Sequence, residues 1–272
     1  MAYTDIDDPS AYFQNLLWTG NGSNRSLTFN GNSDLQPNWS WIKQRSGTNY
    51  HTLTDSVRGL NKQIYSNASD AEATQTTNIT AYGSNGVSLG TDSNVNGNSS
   101  TYVGWFWKET ATAGFDIVSY TGSGSAKTVS HSLSAVPKMI IVKARSSSGQ
   151  WTVQHGSLGA TKWTELDSTA ATDFSTTIWN NTEPTSSVFT VGTNARTNAN
   201  GTTYIAYLFA EKQGYSKFGS YVGNGNVSGS YIHLGFKPAW VMVKKTTAAN
   251  NWVMMDNKRD PFNMMTEYLL AN

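Results

Sequence analysis

The chain has 272 residues, a net charge of +1 and only 14 % charged side chains, well below the roughly one quarter usual in soluble domains. A nucleic-acid partner calls for a basic field, and none is visible. The lack of cysteine excludes disulfide scaffolds and thiolate metal sites.

Asn, Ser, Thr and Gly take the place of the charges, and aromatic residues reach 12 %, with ten tryptophans. This mixture suits β-structure rich in turns. No run of about 20 apolar residues is present, so no membrane insertion through a helix is expected. The start, Met1 to Asp8, is acidic and lacks the apolar stretch of a secretory signal.

After an arm over 1–12, the chain repeats. Trp18-Thr19-Gly20-Asn21-Gly22, Tyr120-Thr121-Gly122-Ser123-Gly124 and Tyr221-Val222-Gly223-Asn224-Gly225 open three similar stretches roughly 100 residues apart. A fixed period of this kind reads as modular architecture. The boundaries fall at 13–109, 115–211 and 216–272, and the short glycine-containing joints predict neighbouring modules in contact.

In chain order, each module presents the same landmarks. A Gly-x-Gly turn comes first and predicts a recurring hairpin. Next is an apolar strand closed by lysine: Trp39 to Lys43, Met139 to Lys143, Trp240 to Lys244. Those lysines read as solvating a strand end. His51, Trp151 or Trp252 follows, then Asp55, His155 or Asp256 at the head of a turn. Stretches 71–77 and 170–174 read as single turns of helix. Val87 to Gly90 and Phe189 to Gly192 read as strands, and the last strand is Tyr102 to Trp107 or Tyr204 to Phe209.

Runs of four to seven β-branched or aromatic residues between Gly, Asn and Ser are strand signals. Continuous apolar runs such as 102–107 predict burial on both faces, against a second sheet or a neighbouring module. The fold class is all-β: tandem sandwiches, jelly-roll or lectin-like, of about 100 residues each. The third module is incomplete, since it stops before the equivalents of Val87 to Gly90 and Tyr102 to Trp107. An open edge of that kind is expected to be completed, by further chain or by an oligomeric partner.

Chemistry-bearing constellations are sparse. His51, His131, His155 and His233 occupy non-equivalent positions with no metal-binding spacing. Glu165 and Asp167 form a local acidic pair of no special geometry. Asp92, Asn94 and Asn96 match the opening of a calcium loop, but Val103 stands where the bidentate glutamate belongs. An Asn/Gly turn is the plainer reading, and no metal or other cofactor is expected. Trp39, Trp105, Trp107 and Trp240 lie in repeated strands and read as core. Trp163 and Trp179 stand among polar residues in module two alone, which fits stacking on a sugar ring or packing at a subunit interface.

Several segments together resemble a repeat-containing family of virion structural, tail-fibre-like proteins in tailed bacteriophages, especially marine and cyanobacterial ones. They are Met1 to Ser10, Trp18 to Ser23, Asn32 to Pro37, Tyr204 to Ala210 and Ser220 to Gly225. The resemblance spans essentially the whole chain. It implies a non-enzymatic component of the virion exterior, a tail fibre or host-attachment protein that binds copies of itself, as in fibre trimers, and other virion proteins. A capsid decoration protein is the alternative. A carbohydrate-binding array reading host surface glycans belongs to another class, and a polysaccharide depolymerase ranks last.

Overall fold

The computed structural model describes residues 4–262 and 265–272. Nearly all of its regular structure is β, in antiparallel sheets. Module one contributes β1 (Phe13–Thr19), β2 (Arg25–Thr28), β3 (Trp39–Gln44), β4 (Thr52–Asp55), β5 (Lys62–Tyr65), β6 (Ala73–Thr74), β7 (Ile79–Gly83), β8 (Gly86–Leu89), the short helix α1 (Ser93–Asn96) and β9 (Thr101–Trp107). Module two repeats the plan with β10 (Phe115–Thr121), β11 (Lys127–Ser130), β12 (Met139–Ala144), β13 (Thr152–His155), β14 (Lys162–Glu165), β15 (Asp173–Phe174), β16 (Val188–Val191), α2 (Ala195–Asn198) and β17 (Thr203–Phe209). Module three adds β18 (Trp240–Lys244), β19 (Trp252–Asp256) and β20 (Leu269–Leu270).

The large sheets of modules one and two have matching orders, β1-β9-β3-β4-β5-β6 and β10-β17-β12-β13-β14-β15. The last strand of each module thus inserts between its first and third, pairing Leu17 with Val103 and Trp41 with Trp105 in module one. The stretches 71–77 and 170–174 form the edge strands β6 and β15, not helical turns. Pairing with β5 and β14 outweighs the weak helical periodicity of such short segments.

Alternation along β9 explains why its apolar run has no polar face. Tyr102 and Phe106 point into the module's own core, roofed by the small sheet β2-β8-β7. Val103, Trp105 and Trp107 point the other way, into a second core. Strand β17 behaves alike: Tyr204, Ala206 and Leu208 face inward beneath β11-β16, while Ile205 and Tyr207 face outward.

That second core is shared. Trp39, Trp41 and Trp105 of module one, Phe115, Trp151 and Tyr207 of module two, and Trp252 and Met254 of module three bury into one cluster. Trp39 lies at its hub, with ring centroids 4.6 Å from both Trp107 and Tyr207 and 5.4 Å from Phe115. Trp107 meets Trp240 edge-on at 5.5 Å. Modules one and two are each a sandwich, and module three contributes a single three-stranded sheet; the three together enclose an aromatic core that none has alone.

Candidate functional site

The contacts between modules form a closed ring. Trp151 Nε1 donates to the Tyr65 carbonyl at 2.8 Å, and Trp252 Nε1 donates to the Glu165 carbonyl at 2.6 Å. His51 holds the same position in module one and bonds the Leu270 carbonyl of module three. Tyr65, Glu165 and Leu270 are themselves equivalent, each pairing with the start of the preceding strand. One donor therefore points from each module to its neighbour, two to one, three to two and one to three. Because His51 Nδ1 accepts from Trp41 Nε1 at 3.0 Å, its Nε2 carries the proton toward Leu270. Burial first, then nearby Lys43, lowers the ring's pKa to about 3.

Two equivalent acid–arginine boxes reinforce the ring. Asp55 Oδ1 caps the following turn at the Arg58 amide, and its Oδ2 pairs with Arg58 Nε at 2.5 Å. The Tyr207 hydroxyl, from module two, donates to that same Oδ2 at 2.7 Å. In module three Asp256 and Arg259 repeat the arrangement at 2.6 Å, and Trp105 Nε1 of module one supplies the second donor at 3.2 Å. Removing one partner of such a buried pair leaves the other without its hydrogen bonds, so each box ties its turn to the neighbouring module. The third position of this set is His155, whose Nδ1 accepts from the Ser157 amide and whose ring lies 6.3 Å from Phe218. Burial lowers its pKa.

The strand-closing lysines do not extend into solvent as the sequence predicts. Lys43 and Lys143 are buried. Lys143 Nζ donates to the Ser69 carbonyl of module one at 3.2 Å, and Lys244 Nζ donates to the Thr169 carbonyl of module two at 2.9 Å. Lys43 turns to the carbonyls of Gly47 and Asn49. At both seams the ammonium joins a carbonyl that already accepts a main-chain amide from the next module, Gly149 at Ser69 and Asn250 at Thr169, each at 2.8 Å, so it adds a charged donor to an existing contact. Burial lowers Lys143 to about 8. Nearby, Glu72 Oε2 pairs with Arg145 Nε at 2.8 Å across the same seam.

The joints between modules carry a second repeated feature. Glu109 Oε1 accepts from the Ile117 amide at 3.2 Å, and Glu211 Oε1 accepts from the Phe218 amide at 3.0 Å. Beside Glu109 stands Asp116; beside Glu211 stands Lys217, 3.6 Å away. Burial first, then its hydrogen bond with Asp116, raises Glu109 to about 7.

The residues singled out from sequence lie elsewhere. Trp163 and Trp179 are buried in the inner core of module two, which corrects the reading of either as a sugar-stacking platform or an interface anchor. The Arg196 guanidinium covers the Trp163 ring at 4.3 Å, so no ring face is offered to a ligand. Position by position, Trp163 matches Gln63 and Ile178 matches Asn78, which in module one form a buried hydrogen bond of 2.7 Å. Module two replaces that polar pair with an apolar one. Aligning Lys62 with Lys162 makes the exchange visible in the sequence.

Asp92 and Asn94 lie at the start of α1, and Asp92 Oδ1 caps the Asn94 amide at 2.7 Å. Asn96 Nδ2 donates to the carbonyls of Ser23 and Gly90, at 2.7 and 2.8 Å. In module two Asn198 does the same with Ser125 and Gly192. Helix capping and stapling of the Gly-x-Gly hairpin therefore account for this motif, in place of a calcium loop. Among the described residues no three His, Cys, Asp or Glu side chains are grouped to hold a metal ion. Glu165 pairs with Arg196 at 2.9 Å, and Asp167 accepts from the Trp151 amide at 3.0 Å. Burial first raises Asp167 to about 6. The two acids answer to different partners.

Sequence reasoning missed the boxes at Asp55 and Asp256 as joints between modules. Their signal was present as Asp-x-x-Arg in modules one and three, but their aromatic donors lie some 150 residues away in the chain.

Residues 8–272 match the model of a family described as a domain of unknown function, DUF7483. No curated protein matches the chain. Among solved structures, the crystal structure of the STIV MCP aligns over 73 % of this chain and 95 % of its own at 10 % identity, with a TM-score of 0.25. A likeness that weak carries no argument.

Proposed function

The chain belongs to the DUF7483 family, and we propose that it is a structural component of a tailed bacteriophage particle, on the exterior, serving in a tail fibre or in host attachment. One observation carries the structural part of this reading: three repeats close into a ring around a shared aromatic core. Burial on this scale and the repeated acid–arginine boxes suit a building block that holds its shape under load. The displaced titratable groups, His51, Glu109, Lys143 and Asp167, each meet scaffold atoms. The phage part rests on the resemblance of the segments at 1–10, 18–23, 32–37, 204–210 and 220–225.

Immunogold labelling of washed phage particles with an antibody to this chain tests the reading. Gold at the tail or its fibres is the expected result. Loss of the chain on washing refutes a structural role, and gold confined to the head converts the reading to capsid decoration.

A further inference from the structure

The joint between modules one and two and the joint between modules two and three share a backbone but differ in charge. At the first, Thr110 and Phe115 exchange main-chain hydrogen bonds at 2.9 and 3.1 Å around the turn at 111–114. At the second, Lys212 and Ser216 do the same at 3.2 and 2.9 Å. Glu109 and Glu211 each accept from an amide of the strand or segment that follows, Ile117 or Phe218. The residue just before that amide is Asp116 at the first joint and Lys217 at the second.

At the first joint two acids converge on one donor. The Ile117 amide lies 3.0 Å from Asp116 Oδ1 and 3.2 Å from Glu109 Oε1. Asp116 Oδ2 also accepts from the Ser132 amide at 2.5 Å, and the Glu109 amide donates to Asn38 Oδ1 at 2.9 Å. Asp116 is buried and Glu109 half-buried. Among the described residues neither acid forms an ion pair. The other charge acting on Glu109 is a third acid, Asp55 of β4, itself paired with Arg58. His131, beside Ser132, turns to the Thr185 carbonyl at 3.2 Å, and Lys108 is exposed.

Two adjoining carboxyl groups with no cation ionise together only at high cost, so one proton is shared between them. Burial first, then Asp116, accordingly raises Glu109 from 4.5 to about 7. At the second joint Lys217 Nζ stands 3.6 Å from Glu211 and supplies the positive charge that the proton supplies at the first. His155 also acts on Glu211, and burial lowers its pKa below 6.5. The first joint reaches the shared core as well, because the Phe115 ring lies 5.4 Å from Trp39.

We propose that the joint between modules one and two is a pH-responsive clasp, closed by a proton shared between Glu109 and Asp116 and loosened above neutrality when that proton passes to solvent. Ionisation sets two carboxylates against one amide, and the segment from Glu109 to Ile117 relieves the repulsion by opening. The ion pair at the second joint makes that joint indifferent over the same range. Both modules at the clasp are complete, and the inference does not depend on the virion reading.

Hydrogen exchange of the full chain, read by mass spectrometry at about pH 6.5 and about pH 8.5 and corrected for the intrinsic pH dependence of amide exchange, tests the clasp. The expected result at the higher pH is about three-fold faster corrected exchange over 115–117 and at Ser132, with no change over 216–218. Glu109→Gln leaves a neutral partner beside Asp116 and should keep the joint closed at both pH values. Asp116→Asn removes the like charge from Glu109 and should abolish the rise equally. Each variant keeps the size of the side chain it replaces and one accepting oxygen. Flat exchange at the first joint of the parent, an equal rise at both joints, or a rise that survives in either variant overturns the proposal.

Discussion

Replacing Trp39 by alanine tests whether the three repeats share one core. The indole is buried at the hub and touches aromatic rings of modules one and two. Its loss exposes about 150–200 Å² of apolar surface, worth about 4–5 kcal/mol at ~25 cal/mol per Å². That agrees with the ~3–5 kcal/mol typical of tryptophan truncation in cores. Trp39 Nε1 has no hydrogen-bond partner, so the whole loss is packing. Trp240 occupies the equivalent position in module three but is half-buried, with Trp107 as its aromatic neighbour. Its truncation should cost about 2 kcal/mol by the same area reasoning. Urea unfolding followed by circular dichroism measures both. The parent should unfold in one transition, since the core spans all three modules, and Trp39→Ala should lower the midpoint about twice as far as Trp240→Ala. Three separate transitions, or equal losses for the two variants, would refute the shared core.

Three further outcomes follow from particular contacts. Tyr207→Phe removes one donor to the paired carboxylate of Asp55 and should cost about 1.5–3 kcal/mol; a double-mutant cycle with Asp55→Asn should show strong coupling, and additive losses would contradict the joint. Gly122→Ala places a Cβ 2.2 Å from the Ala199 carbonyl oxygen, whereas Gly223→Ala meets nothing within 4 Å. The first should lower the melting temperature by an amount matching roughly 2 kcal/mol or more, and the second should stay within about 0.5 kcal/mol of the parent. Glu109 is raised from 4.5 to about 7 in the folded chain, so its folded form binds the proton more tightly. The resulting stabilisation is complete below pH 4.5 and fades as pH rises through about 7. Since this group is only partly buried, the effect should stay below about 1–2 kcal/mol. Melting temperature against pH should show that decline in the parent, and Glu109→Gln should flatten it; an unchanged profile in the variant would remove Glu109 as its cause.

The sequence alone determined the all-β class, the period and the recurring strands, because alternation, turn residues and spacing are local properties of the chain. It also marked Trp39, Trp105, Trp107 and Trp240 as core. It could not tell which core, since parity along a strand separates two faces without saying what covers each. Only the tertiary structure decided that one face of β9 and β17 belongs to the module and the other to the ring. The same limit explains Trp163 and Trp179: polar neighbours in sequence made them look exposed, but the tertiary structure buries both rings in the inner core of module two. The lysines at 43, 143 and 244 read as surface residues, yet their carbonyl partners are set by loops that folding brings together. Closure of the ring is a long-range fact. Trp105 finds Asp256, and Tyr207 finds Asp55, only once the aromatic faces have packed, and no local pattern in the chain encodes that meeting.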